Sequence, residues 1–151
     1  MTGVWKPSAT VAAIIERDGK FLFVEEVAEA RRVLNQPAGH LDPEESLIAA
    51  CARETLEETA YVFEPTALVG IYRWHYAPAD NTFLRFAFAG TLGALDAQRK
   101  LDAEIVATHW LSREELVARD YMHRSPLVLR CVDDYLAGRR FSLDIFSTGF
   151  A

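Results

Sequence analysis

At 151 residues the chain fits one domain, and 50% hydrophobic residues can fill the core of a domain that size. A formal net charge of −6 with no long basic run argues against a nucleic-acid surface, and no apolar run approaches the ~20 residues a membrane span needs. Two cysteines, Cys51 and Cys131, outside any CxxC, are too few for a disulfide framework or a zinc site and read as buried free thiols of a reducing cytoplasm.

Residues 1–7 lack the charged-then-apolar layout of a signal peptide. Residues 10–15 and 21–24 are short apolar, β-branched runs around Asp18-Gly19, which reads as a hairpin. Residues 35–39, Asn-Gln-Pro-Ala-Gly, have loop chemistry. Residues 43–59, rich in Glu, Ala, Leu and Arg, predict a helix with Asp42 as N-cap and Pro43 at the first helical position. Residues 68–76 and 82–90 predict two strands joined by a turn at 77–81, and residues 105–111 another strand. Ser112 with Glu115 forms a capping box for a short helix. Ser125-Pro126 opens a last helix that Gly138 closes. This order predicts a mixed α/β sandwich rather than a doubly wound sheet, in a single domain over residues 1–151.

The helix at 43–59 carries the chemistry. Glu54, Glu57 and Glu58 are spaced i, i+3, i+4 and share one narrow arc. Three carboxylates on one face repel each other unless a cation sits among them. Hard divalent ions take oxygen ligands, and magnesium combines a few carboxylates with water and phosphate oxygens. An acidic protein that handles phosphates needs such a cation, or a local arginine cluster, to offset its own field. Taken alone, a solvated acidic face has the same pattern; the flanking residues decide. Gly39, Glu45 and Arg53 stand at fixed intervals, five residues between the first two and seven between the next. The run then reads Arg53-Glu54-Thr55-Leu56-Glu57-Glu58-Thr59-Ala60-Tyr61. This resembles the Nudix box, G-x5-E-x7-R-E-U-x-E-E-x-G-U, with U apolar. Thr55 and Ala60 depart from it. A threonine methyl still packs. Glycine at the second position ends the helix in a left-handed conformation that costs alanine ~1 kcal/mol or more. The expectation is that the helix closes differently here, with Ala60 at φ < 0, because residues 61–63 can run straight into extended structure.

The resemblance implies a Nudix-type α/β/α sandwich with a mixed sheet. It also implies a magnesium-dependent hydrolase of phosphoanhydride bonds, with manganese as a possible substitute. Glu57 and Glu58 would be the main metal ligands, with Glu54 sharing a metal or acting as base for the attacking water, and the Ala38 carbonyl a further ligand. Glu45 and Arg53 would form an ion pair orienting the catalytic face. Nudix enzymes often use an acidic residue outside the box, before a Trp; Glu104, six residues before Trp110, fits, with Asp102 its rival. Residues 35–41, 83–86 and 124–127 resemble those of the small Nudix phosphatases, which act on nucleoside tri- and diphosphates and thiamine-type pyrophosphates and release inorganic phosphate.

The remaining pocket assignments are read from residue type. Arg85, in an otherwise apolar strand, needs an anionic partner, either a substrate phosphate or Glu25 or Glu26 in a salt bridge. Arg73, Trp74, His75 and Tyr76 cluster on the preceding strand, where Trp74 or Tyr76 could stack on a base or pyrimidine ring. Gln36 could donate to substrate from its loop, and His40 and His75 could touch phosphate. The partner is then a small phosphorylated molecule, met by a monomer or homodimer in the cytoplasm. Two rival functions make different demands on these residues. A nucleotide-sensing Nudix module would have lost box carboxylates, and all three are present; a diphosphate isomerase would need a reactive cysteine in the pocket.

Overall fold

The computed structural model describes residues 3–147. The expected domain span of 1–151, and the first two residues of the leader reading, reach outside that range. Strands β1 (Ser8–Ala13), β5 (Ala38–His40), β6 (Tyr61–Tyr76), β7 (Asn81–Leu95) and β9 (Phe141–Ser142) form one sheet in the order β5-β1-β7-β6-β9. β1 and β7 are parallel and the other pairs antiparallel, so the sheet is mixed. A second, antiparallel sheet centres on β3 (Lys20–Ala28), which pairs with β2 (Glu16–Arg17), β4 (Arg31–Asn35) and β8 (Ile105–Leu111). The helices are α1 (Leu47–Thr59), α2 (Arg113–Val117) and α3 (Leu127–Leu136).

Alternation along β1 builds the sandwich. Val11, Ala13 and Ile15 pack with Ala50 and Cys51 of α1, together with Leu22, Phe63, Leu68 and Phe88. Ala12 and Ile14 point the other way, into a cluster with Val128, Cys131 and Val132 of α3 and Leu116 of α2. Period-two side chains thus bury both sheet faces, each under a helix. The α/β/α architecture follows.

Several elements differ from their sequence expectation. The Asp18-Gly19 turn is a hairpin turn with both residues at positive φ, but it joins β2 to β3; the 10–15 run crosses to the other sheet and pairs with β5 and β7. β6 and β7 are longer than the runs at 68–76 and 82–90, with register shifts at Tyr61/Phe63 and Pro65/Ala67 in the extended part and at Leu68/Gly70 at the start of the first run. α1 begins at Leu47, with Ser46 as its cap, and not at Pro43 under Asp42: the Ser46 Oγ accepts from the Ala49 amide at 3.0 Å, and Glu44 sits at φ 64°. The Pro-at-N1 rule is overridden because Glu45 folds back, accepting from the Asp42 amide at 3.1 Å and meeting Arg53. The other end of α1 also overturns its expectation. Ala60 lies at φ 64°, ψ 8°, and its amide donates to the Leu56 carbonyl in a left-handed cap. The chain must reverse there: the Ala60 carbonyl accepts from Asp96 and Tyr61 already pairs with Leu95. Thr55 is fully buried, its hydroxyl donating to the Cys51 carbonyl at 2.8 Å, so only its methyl meets the core. The Ser112–Glu115 capping box and the Gly138 stop at φ 84° form as the sequence implies.

Candidate active site

α1 projects Glu54 and Glu58 toward β5, the segment carrying Gly39, and Glu57 toward Arg53 and Asp102. Glu54 is pressed against the Gly39 Cα so closely that a Cβ there would overlap its carboxylate. Glycine is required at that point for approach. Glu58 is 4% exposed, and its Oε1 accepts from the Ala38 amide at 2.9 Å. The contact that Ala38 makes with the acidic cluster is therefore through its N–H.

Arg53 ties the near side together. It donates to Glu45 at 2.7 and 2.9 Å, to Glu54 at 2.9 Å, to Glu57 at 3.3 Å and to the His40 carbonyl at 3.1 Å, and Asp42 lies 3.3 Å away. The Glu45–Arg53 ion pair forms, in a fork geometry only a guanidinium offers. The loop before β8 supplies two further acids. Asp102 donates its amide to the Glu57 carbonyl at 3.1 Å, and its carboxylate joins two triads: Glu54–Glu57–Asp102 and Glu58–Asp102–Glu104. In each, the carboxylate oxygens lie within 4.8 Å of one another. Asp102 and Glu104 thus both reach the cluster, rather than one displacing the other.

Burial pushes the Glu58 carboxyl up to about 9 and the Glu54 carboxyl up to about 7, with neighbouring carboxylates adding to both. Asp102 is raised by burial and by Glu57 and Glu104. These are oxygen donors only, close enough within each triad to share a centre and uncomfortable as bare anions. That chemistry fits a hard divalent cation.

A cleft of about 520 Å³ opens over the cluster, lined by Glu54, Glu58, Asp102 and Glu104 along with Arg85, Arg124, Arg31, Trp74, Tyr76, Phe83 and His40. Trp74 stacks on Phe83 at 5.8 Å between centroids with 20° between planes, and Tyr76 adjoins Trp74 at 5.4 Å. Arg85 is 6% exposed and makes no salt bridge among the described residues; its guanidinium donates to Asn35 and Gln36. The alternative partners expected for it are taken elsewhere, Glu25 by His109 and Arg32, and Glu26 by Arg124 at 2.6 Å.

Three residues singled out as substrate contacts do not reach the cleft. Arg73 and His75 alternate to the opposite face of β6 from Trp74 and Tyr76, and His75 bonds Thr82 at 2.9 Å. Gln36 is 1% exposed, and both ends of its amide are already used. The sequence reading missed the Glu26–Arg124 pair and Asn35. A buried Glu in β3 breaks the strand's apolar pattern, which was the available signal; its partner lies 98 residues away. Cys51 and Cys131 are both buried, their thiols held up by burial, and neither lines the cleft. No helix among the described residues is long and apolar enough to cross a membrane.

The family profile described as "NUDIX domain" matches residues 5–131. The chain is 38% identical over 142 residues to Phosphatase NudJ of Escherichia coli (strain K12), covering 94% of this chain and 92% of that one. A NUDIX hydrolase from Nitrosomonas europaea superposes with a TM-score of 0.93 at 51% identity, covering 95% of this chain and 98% of the other. The solution structure of the E. coli ORF135 protein superposes with a TM-score of 0.70 at 28% identity, covering 89% and 91%.

Proposed function

The chain belongs to the Nudix family and is a hydrolase of phosphorus anhydrides, and from that premise we propose that it is a magnesium-dependent phosphatase of nucleoside di- and triphosphates or thiamine-type pyrophosphates. On this reading it releases inorganic phosphate, manganese can replace magnesium, and it works as one domain, monomeric or homodimeric, in the cytoplasm. The observation that carries the reading is the lining of one cleft, where a carboxylate cluster, a buried arginine without a carboxylate partner among the described residues and an aromatic stack meet. Its likeness to a protein named a phosphatase supports the choice of product.

Glu57, Glu54 and Asp102 in one triad and Glu58, Asp102 and Glu104 in the other, with the carbonyl of Ala38, would hold a divalent cation. When bound, magnesium supplies Lewis-acid polarisation of the phosphate oxygens and offsets their charge. The chain's own residues do the rest. Arg53 fixes Glu54 through Oε1, which leaves Oε2 to take the proton of the attacking water. Burial, which holds that carboxyl up to about 7, suits it to accept a proton near neutral pH. Arg85 anchors a phosphate oxygen and holds the terminal phosphorus in line with that water. The new bond joins the water oxygen to the terminal phosphorus, and the bridging P–O bond breaks. The Trp74–Phe83 stack and Tyr76 offer a flat apolar surface to a base or pyrimidine ring. Arg73, His75 and Gln36 are left out of the substrate contacts.

The test is product analysis with ADP, ATP and thiamine pyrophosphate in magnesium, without added pyrophosphatase. Inorganic phosphate should be the first product from each substrate turned over. Pyrophosphate accumulating from ATP would overturn the product assignment, and no turnover of any of the three would overturn the substrate class.

A further inference from the structure

A buried guanidinium normally recruits a carboxylate, because desolvating an unpaired cation is costly. Arg85 does not. Nη1 donates to Gln36 Oε1 at 2.9 Å and Nη2 to Asn35 Oδ1 at 2.8 Å, and Cys131 Sγ lies 3.8 Å from Nη1. Both oxygen acceptors are neutral amides. Their orientation is fixed by chemistry: an NH2 turned toward the guanidinium would set donor against donor. With Oε1 toward Arg85, the Gln36 Nε2 meets the Val128 carbonyl of α3 at 2.7 Å. Of the acids around the cleft, Glu26 is engaged by Arg124, Glu29 by the Tyr76 hydroxyl, Glu58 by the Ala38 amide and Glu54 by Arg53, and Asp102 and Glu104 belong to the acidic triads.

The segment that carries the amides is held from three sides. Asn35 pairs with Val24 at the end of β4, the Pro37 carbonyl accepts from Ala13 at the end of β1, and the Gln36 side chain is anchored on α3. We infer that Asn35 and Gln36 are positioning residues: a rigid neutral clamp that orients Arg85 without cancelling its charge, so that the cleft presents a full cation to a phosphate group. This rests on the reading above that Arg85 anchors substrate phosphate. A carboxylate at either position would satisfy the same hydrogen bonds and neutralise the site.

Asn35→Asp tests this, because it changes charge at constant shape. The measurements are the dissociation constant of imidodiphosphate in magnesium, by calorimetry, and the melting temperature. Asn35→Asp should bind at least about tenfold more weakly with a melting temperature equal to or above wild type, since the new ion pair favours the fold. Asn35→Ser, smaller but neutral, should melt lower yet bind within about threefold of wild type. A merely structural role predicts the reverse order, with the serine variant the worse binder, and that result, or wild-type binding by Asn35→Asp, overturns the inference. Arg85→Gln separates the two claims. If Arg85→Gln weakens binding and Asn35→Asp does not, the clamp fails alone; if Arg85→Gln binds as wild type, the phosphate role of Arg85 fails and takes the clamp with it.

Discussion

Replacing Gly39 with alanine would insert one methyl group where the Glu54 carboxylate now lies. A Cβ built there overlaps the carboxyl carbon and both oxygens, whereas ordinary van der Waals contact begins at 3.4 Å. Gly39 is not at positive φ, so the backbone itself accepts alanine. The group that yields is the end of the Glu54 side chain, which must withdraw by about 1 Å or more, a displacement worth about 100-fold in rate for a reacting group. Stability should change little. Alanine narrows the unfolded ensemble by about 0.4–1 kcal/mol, and the weakened Arg53–Glu54 pair, part-exposed at 2.9 Å, gives back up to about 1 kcal/mol. The assay is kcat and a melting curve for Gly39→Ala beside Glu54→Gln. Both variants should fall about 100-fold in kcat and lie within about tenfold of each other, with melting temperatures within a few degrees of wild type. Wild-type turnover in Gly39→Ala would refute the claim that Glu54 must lie against that glycine. A collapse of its melting temperature would refute the claim that only the side chain gives way.

Ala60→Gly should stabilise the protein by about 0.5–1 kcal/mol in urea denaturation, because relief of the left-handed strain exceeds the lost burial of one methyl; a loss of stability would contradict it, and kcat should not move. Arg53→Lys should lower kcat by about tenfold or more, since an ammonium cannot meet Glu45, Glu54 and Glu57 together; undiminished kcat would remove Arg53 from the machinery. In EDTA, the melting temperature should fall as pH rises from about 5 to 9. The folded state keeps Glu58 protonated up to about 9 and Glu54 up to about 7, while the unfolded chain releases those protons near 4.5, so the folded state binds more protons throughout the window and loses stability with rising pH. Glu58→Gln should flatten that slope, and magnesium should raise the melting temperature more at pH 8 than at pH 5. The same slope in wild type and Glu58→Gln would contradict the cause given.

The acidic face of α1 was legible in the sequence because a helix converts fixed spacing into fixed direction, and the box spacing set Gly39, Glu45 and Arg53 around it. The long β6–β7 pair was partly legible, since its core half alternates while its outer half includes Pro65 and register shifts. Two kinds of feature were not. Helix ends depended on tertiary demands: Glu45 pulled the start of α1 inward to serve Arg53, and the β6–β7 junction forced Ala60 into a conformation its side chain disfavours. Contacts of long range were also hidden. Nothing local marks Glu26 as the partner of Arg124, or Gln36 as a hydrogen-bond partner of Arg85. Arg73 and His75 were recoverable in principle, because strand alternation separates them from Trp74 and Tyr76.

The central claim, that hydrolysis depends on a divalent cation held by the carboxylates of α1, is tested most directly by phosphate release from ADP by wild type and Glu57→Gln, each in saturating magnesium and in EDTA. The wild type should turn over in magnesium and stop in EDTA, and Glu57→Gln should fold normally yet lose about 100-fold or more in kcat. Full turnover in EDTA, or a Glu57→Gln variant as fast as wild type, would contradict it.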